Sequence, residues 1–592
     1  MSRTTNTIRQ IYKWRLKHIN DRSYVMILSS LVGIIAGFAA VIIKNSVHLI
    51  HRLLHSIVSS EIFHYVYFIT PVVGIFIAVL IVKYLIKAPV RHGIPNVLHS
   101  ISKRNGQLSR HNMFSSIVTS AFTVGFGGSV GLEGPTVATG ASYGSFIGRF
   151  FRLDYKQVTL MLACACAGAM AAIFKAPIAA IVFAIEVIMI DLTTFSLVPL
   201  LLSSASAVVT SYLFLGRDVL YPFKVVSSFE MGELPYFILL GILAGLVSAY
   251  FAKTYNFFHE WFDKIGCAWK RLLIGGLSLG ALVFMFPALY GEGYESINAC
   301  LSGDFDYLFN DTVFSQFKSE IWIMAGVMAV VILLKVVAAS LTFGAGGVGG
   351  IFAPTLFMGV NTGAFFALIM NNLGVKTLNQ NNFALIGMAG LIAGVLHAPL
   401  TGIFLIADIS GGYKLFVPLM ITATFAYMTV RYFVPQSVYH YQLVKRKELF
   451  THHKDQSTLR MMQVQKLIET DFVSLQPDAT LRDLVKAISE AHRNLFPIVD
   501  SEGILHGMVK MDDVRHLIFK PELYDSVKIE DLMYMPEYSI SPTDSMEEVA
   551  EKFEKCGRYN LAVLDNGKYM GFISRAKVFT SYRKIVQRFS HD

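Results

Sequence analysis

Apolar positions along the chain gather into blocks of about twenty. Residues 24–44, 67–86, 196–215, 235–252, 273–290 and 321–342 carry almost no charge. That is the length a helix needs to cross a bilayer core of about 30 Å. Other apolar stretches are shorter or broken by Gly and Pro. After residue 450 the pattern changes. A polar linker, "THHKDQSTLR", leads into short alternating segments. "LFPIVDSEGILHGMVKMDDV" (495–514) and "NLAVLDNGKYMGFISRAKV" (560–578) each read as strand, turn, strand and helix. Helical patterns precede both copies, at "ATLRDLVKAISEAHR" and "DSMEEVAEKFEKCG". The expected fold is a mostly α membrane region followed by a soluble α/β tail.

The apolar region repeats as well. "AAIFKAPIAAIVFAIEV" (171–187) matches "AGVLHAPLTGIFLIADI" (393–409) at an offset of 222, which pairs Glu186 with Asp408. "GGSVGLEGPTVATGASYG" (127–144) matches "GGVGGIFAPTLFMGVNTG" (346–363) at an offset of 219. Residues 24–450 therefore form a membrane domain of two related halves, about 24–215 and 235–450. Repeated halves with Gly/Pro-broken helices point to a transport site near the bilayer midplane.

Composition sharpens this picture. Of 592 residues, 54% are hydrophobic and only 16% charged, against about 25% charged in soluble domains. Residues 1–23 form a basic segment, with six Arg or Lys against one Asp. Positive flanks stay cytoplasmic, which places the N-terminus there. A net charge of +10 belongs to such flanks facing anionic lipid and calls for no nucleic acid. "ACACAG" places Cys164 and Cys166 on an apolar helix without metal-ligand spacing, so no metal site and no disulfide framework is expected.

Three stretches share one design: "RHGIP" (91–95), "GLEGP" (131–135) and "GGIFAP" (349–354). Each sets glycine before a proline suited to a helix's first turn. A helix start exposes unpaired N–H groups and about half a positive charge. Several such starts aimed at one point would hold an anion without a fixed cation that binds too tightly for rapid passage. Glu133 sits at one of these starts. Its carboxylate can occupy an anion's place and, once protonated or swung out, vacate it.

"GGSVGLEGP", "GGIFAP", "FKAPIAAIVFAIE" and "HAPLTGIFLIADIS" resemble the signature segments of the CLC family of chloride channels and proton-coupled exchangers, here of bacterial type. The tail units, about 463–517 and 526–585, are similar to CBS domains. The resemblance implies an inverted repeat of broken, tilted helices and a homodimer with one anion path per subunit. It makes Glu133 the gate. Gly93, Ile94, Gly350, Ile351 and Phe352 would offer backbone N–H groups to the anion. Tyr439, in "QSVYHYQL", would offer a hydroxyl, with Tyr441 its close competitor.

The departures from the family pattern matter. His92 stands where many members have a chloride-binding serine, which opens the choice of anion and a pH-sensitive affinity. Leu132 replaces the basic residue usual before the gate, and Lys175 is a candidate to restore positive charge. Val187 stands where proton-coupled members have an internal glutamate. A channel is therefore the expectation, with a proton-coupled antiporter as the alternative. In the tail, Gly507 to Asp513 and Gly571 to Lys577 each keep half of a ribose-binding pattern. Asp513 and Ser574 are thus candidates for an adenine nucleotide, and no other cofactor is expected. "HEWFD" lacks the second His of a zinc helix, and no several-carboxylate cation site is visible. A CBS-regulated membrane enzyme or cation transporter thus remains a distant alternative. The reading is a multi-pass membrane protein, not an enzyme, with its CBS tail in the cytoplasm.

Overall fold

The structure is a computed structural model that describes residues 18–57, 63–90, 93–104, 106–188, 194–216, 230–309, 312, 316, 320–445, 462–491 and 493–590. His92 and the basic N-terminal segment up to residue 17 lie outside the described residues. The chain divides into two compact units, Met1–Leu449 and Phe450–Asp592.

In the first unit the leading half runs α1 (Asp21–Ile57), α2 (Phe63–Leu80), α3 (Gly93–Lys103), α4 (Asn112–Gly125), α5 (Glu133–Phe150), α6 (Tyr155–Phe174), α7 (Pro177–Glu186) and α8 (Thr194–Leu215). The following half runs α9 (Leu234–Asp263), α10 (Ala268–Met285), α11 (Tyr294–Leu301), α12 (Ile321–Gly344), α13 (Phe352–Asn372), α14 (Gln380–Leu396), α15 (Pro399–Ile409) and α16 (Phe416–Phe433). A last helix, α17 (Val438–Lys445), follows. The starts of α5 and α13 lie 219 residues apart, and those of α7 and α15 lie 222 apart. The repeat seen in the sequence is thus a repeat of elements. Lys175 and His397 share this register. Both end their helices in the left-handed region, at φ 56° and 57°, and turn the chain into an Ala-Pro step that starts the next helix.

Among the described residues, nine helices are long and apolar enough to cross a membrane. The run at 273–290 is interrupted, because its helix ends at Met285 and Pro287–Leu289 forms a separate tight turn. Three spans lie outside the six long runs: Tyr155–Phe174, Phe352–Asn372 and Phe416–Tyr441. The first two are 89% buried inside the protein, so neighbouring helices rather than lipid surround them. Small residues let those neighbours close in. A Cβ at Gly144 would lie 2.5 Å from the Met161 carbonyl, and one at its repeat mate Gly363 would lie 1.9 Å from that of Phe383.

Helices α7 and α15 cap each other. Glu186, at the end of α7, accepts hydrogen bonds from Leu400 N (3.1 Å), Thr401 N (2.7 Å) and Thr401 Oγ1 (2.7 Å) at the start of α15. Asp408, near the end of α15, accepts from Ala179 N (3.2 Å) in the first turn of α7. A carboxylate at a helix N-terminus satisfies orphan N–H groups and complements the dipole. Glu186 and Asp408 are structural, as their symmetry in the sequence suggests.

In the second unit, α18 (Leu481–Glu490) leads into an antiparallel pair, β1 (Leu495–Val499) and β2 (Leu505–Lys510), followed by α19 (Met511–Ile518). The second copy has β3 (Ser539–Ile540), α20 (Met546–Cys556), β4 (Asn560–Asp565), β5 (Lys568–Ser574) and α21 (Arg575–Ser590). Here β3 runs parallel to β4, and β4 antiparallel to β5. The copies interlock. Glu469, before the first copy's helix, exchanges backbone hydrogen bonds of 2.7 and 2.9 Å with Phe572 of β5. The stretch 463–517 therefore does not close on itself.

Candidate functional site

The three Gly-Pro frames become the starts of α3, α5 and α13, and they meet. Gly131 N donates to Gly350 O at 2.8 Å, and Gly350 N donates to Gly131 O at 2.7 Å. These two residues are repeat mates, so the halves join through an antiparallel bridge at the mouths of two helices. The α3 frame is wedged against them. A Cβ at Gly93 would lie 2.2 Å from Gly134 O, which only glycine permits.

Where they converge lies a cavity of about 20 Å³, lined by Gly93, Ile94, Gly134, Gly350, Ile351 and Tyr439 among others. That volume suits about one water or small ion. Among the described residues no Lys or Arg lines it, and the backbone N–H groups and dipoles of the helix starts supply positive potential there. The Tyr439 hydroxyl is buried with no hydrogen-bond partner among the described residues. An orphaned buried hydroxyl calls for an acceptor. Tyr441, by contrast, donates to Glu260 Oε1 at 3.0 Å. Phe352 opens α13 and is fully buried, but it does not face the cavity. Tyr255 and Phe343 do line it, and sequence reasoning missed both, since an aromatic residue on an apolar helix reads as ordinary packing.

Glu133 is fully buried as the first residue of α5. Its Oε1 accepts from the hydroxyl of Tyr294, while Oε2 is buried over Gly131, and the backbone of Ala353 in the first turn of α13 approaches the carboxylate. Lys44 of α1 lies within electrostatic reach of both Glu133 and Glu292. Its Nζ donates to Ile173 O at 2.8 Å. Lys335 of α12 is fully buried and donates to Leu289 O (3.3 Å) and Gly291 O (3.1 Å), with its ammonium 4.8 Å from the Phe357 ring centre. Lys175 instead donates to Gly216 O at 2.9 Å. Among the described residues, half-buried Lys44 lies within reach of Glu133, and fully buried Lys335 lies within reach of Glu292. Tyr294, Glu292 and Lys335 were invisible as site residues because they lie outside the Gly-Pro frames.

Val187 follows α7 and is only 2% exposed, packed among apolar side chains. In the tail, Ser574 Oγ donates to Glu469 Oε1 at 2.5 Å and accepts from Lys577 N at 3.1 Å. Arg493 Nη2 donates to Glu469 Oε2 at 2.7 Å. The hydroxyl expected to meet a ribose is engaged by the protein's own carboxylate. Lys510, where the first copy lacks its hydroxyl, pairs with Asp512 at 3.4 Å, beside Asp513 in the first turn of α19. Among the described residues, no group of three or more His, Cys, Asp or Glu side chains could hold a metal ion.

The family model described as voltage gated chloride channel matches residues 73–431, and the CBS domain model matches 464–520 and 529–584. A ClcB-like protein of Ralstonia nicotianae is 30% identical over 390 residues, 64% of this chain and 86% of that protein. The H(+)/Cl(-) exchange transporter ClcA of Vibrio cholerae is 28% identical over 430 residues, 70% of this chain and 88% of its own. Among solved structures, a slow cyanobacterial Cl-/H+ antiporter superposes with a TM-score of 0.59 at 20% identity, covering 73% of this chain and 99% of that one.

Proposed function

The chain belongs to the voltage gated chloride channel (CLC) family, a family of anion transport across membranes, and from that premise we propose that it is a chloride channel gated by Glu133. The observation that carries this reading is the cavity at the joined helix starts, with the Tyr439 hydroxyl lacking any protein acceptor. The Gly350 N–H, expected to face the anion, is instead given to Gly131 O, so a chloride there would accept from the Ile351 N–H and from Tyr439, with Gly93 and Ile94 approaching from α3. The carboxylate of Glu133 stands next to it, ready to take an anion's place at the same dipoles. Valine at 187 supports conduction over exchange, because it cannot carry a proton inward.

A second reading, the proton-coupled antiporter, is favoured by the similarity of this chain to the H(+)/Cl(-) exchange transporter ClcA. Full-length protein in liposomes decides between them. A chloride gradient should drive chloride flux with no change in internal pH; proton uptake against its gradient would establish exchange. Glu133→Gln should make chloride flux independent of pH. A retained profile would remove Glu133 from the gate.

We further read the protein as a transporter rather than an enzyme, dimeric, with its N-terminus and CBS tail cytoplasmic and in contact with anionic lipid. Ser574 is held by Glu469. An Asp513 and Ser574 site for adenine nucleotide requires that Glu469 move away. His92, which immediately precedes Gly93 in the sequence, is proposed to donate to the anion. His92→Ser should then flatten part of the pH profile of flux.

A further inference from the structure

A cavity of about 290 Å³ lies on the gate's other side, lined by His48, His51, Tyr67, Glu292, Tyr294 and Glu295 among others. Glu133 does not line it. Its carboxylate is fully buried, and the hydroxyl bonded to it belongs to a residue in the cavity wall. The turn that carries Tyr294 is stapled in place. Ser129 Oγ donates to Leu289 O at 2.7 Å, and Gly291 N donates to Gly127 O at 3.1 Å. Lys335 holds the carbonyls of Leu289 and Gly291. Leu132 N, one residue before the gate, donates to Glu292 Oε1 at 3.1 Å. Every staple ties this turn to a repeat loop or to α12, so the tyrosine is presented to the carboxylate by a preorganised support.

We propose that Tyr294 is the latch that holds Glu133 in its closed position, and that Glu292 ties the latch to the gating helix. The proposal rests on Glu133 being the gate. A hydroxyl donating to a carboxylate favours its charged form, and the charged form is the one that competes with chloride. The groups facing Glu133 are Lys44 from α1, Glu292 from the turn, Tyr294 from α11 and Tyr439 from α17. Lys335 from α12 faces Glu292. His48, His51 and Glu295 face the cavity behind the latch. Protonation of Glu133 ends the need for a donor at Oε1, and the latch lets go.

The test is chloride efflux from liposomes holding the full-length protein, with equal pH on both sides. Tyr294→Phe keeps the ring and removes the donor. Flux at pH 7.5 should rise about tenfold, as loss of a hydrogen bond to a charged group implies, while flux at pH 4.5 stays within about twofold. An unchanged profile, or an equal fractional loss at both pH values, would overturn the latch. Glu292→Gln keeps an acceptor for Leu132 N and removes a negative charge facing the gate. Lys44 then faces one carboxylate rather than two, so flux at intermediate pH should fall severalfold, the opposite sign to Tyr294→Phe. If Tyr294→Phe fails to fold, this variant decides, and unchanged or increased flux counts against the proposal. Glu133→Gln separates the two ideas. If it is pH-independent while Tyr294→Phe behaves as wild type, the latch alone fails; if it keeps the wild-type profile, the gate itself does.

Discussion

At the scale of single residues, two tyrosines stand at two places beside Glu133 and the helix-start cavity. Tyr439 presents a hydroxyl with no protein partner to the cavity, and Tyr294 presents one to the gate carboxylate. Tyr439→Phe should weaken chloride binding about tenfold in calorimetry, as expected for one lost hydrogen bond to an ion. Tyr441→Phe should not, because that hydroxyl is bonded to Glu260. The sequence made Tyr439 legible only through its motif, since spacing alone could not separate it from Tyr441. Tyr294 carried no such mark. Its role depends on a contact with Glu133 across 161 residues, which no local pattern encodes.

At the scale of elements, the duplicated halves were readable because the same glycines and prolines recur in the same frame. What could not be read was which helices lipid surrounds. Tyr155–Phe174 and Phe352–Asn372 are as apolar as spans that face outward, yet protein encloses them; their small residues answer to neighbouring helices rather than hydrocarbon. The reciprocal caps give an element-scale prediction. Glu186→Ala leaves the N–H groups of Leu400 and Thr401 and the Thr401 hydroxyl without their acceptor. Leaving a buried donor unsatisfied costs about 1–3 kcal/mol, so the thermal midpoint in detergent should drop by several degrees. Asp408→Ala should drop it in the same direction and by less, since the structure gives Asp408 one bond at 3.2 Å. Equal midpoints for wild type and Glu186→Ala would show the cap to be energetically idle.

For the whole molecule, the two units follow different rules of assembly. In the tail, Glu469 joins the sheet of the second copy while pairing with Arg493 ahead of β1. The sequence showed two tidy copies of strand, turn, strand and helix, but not this exchange, because one edge pairing leaves no periodic signal. Glu469→Ala should lower protection against hydrogen exchange in β1–β2 and β4–β5 together. Loss confined to one pair would mean that the copies are independent.

The bridge between Gly131 and Gly350 reaches furthest. Many carriers expose their cargo to alternate sides by rocking one half of the molecule against the other. Here the halves are hydrogen-bonded to each other beside the cavity at the helix starts, through Gly131 and Gly350, and Gly350 also lines that cavity. Rocking would tear the cradle as it opened the path. On the proposed channel reading, throughput is set by how often the Glu133 side chain rotates, within a scaffold that stays joined from one ion to the next.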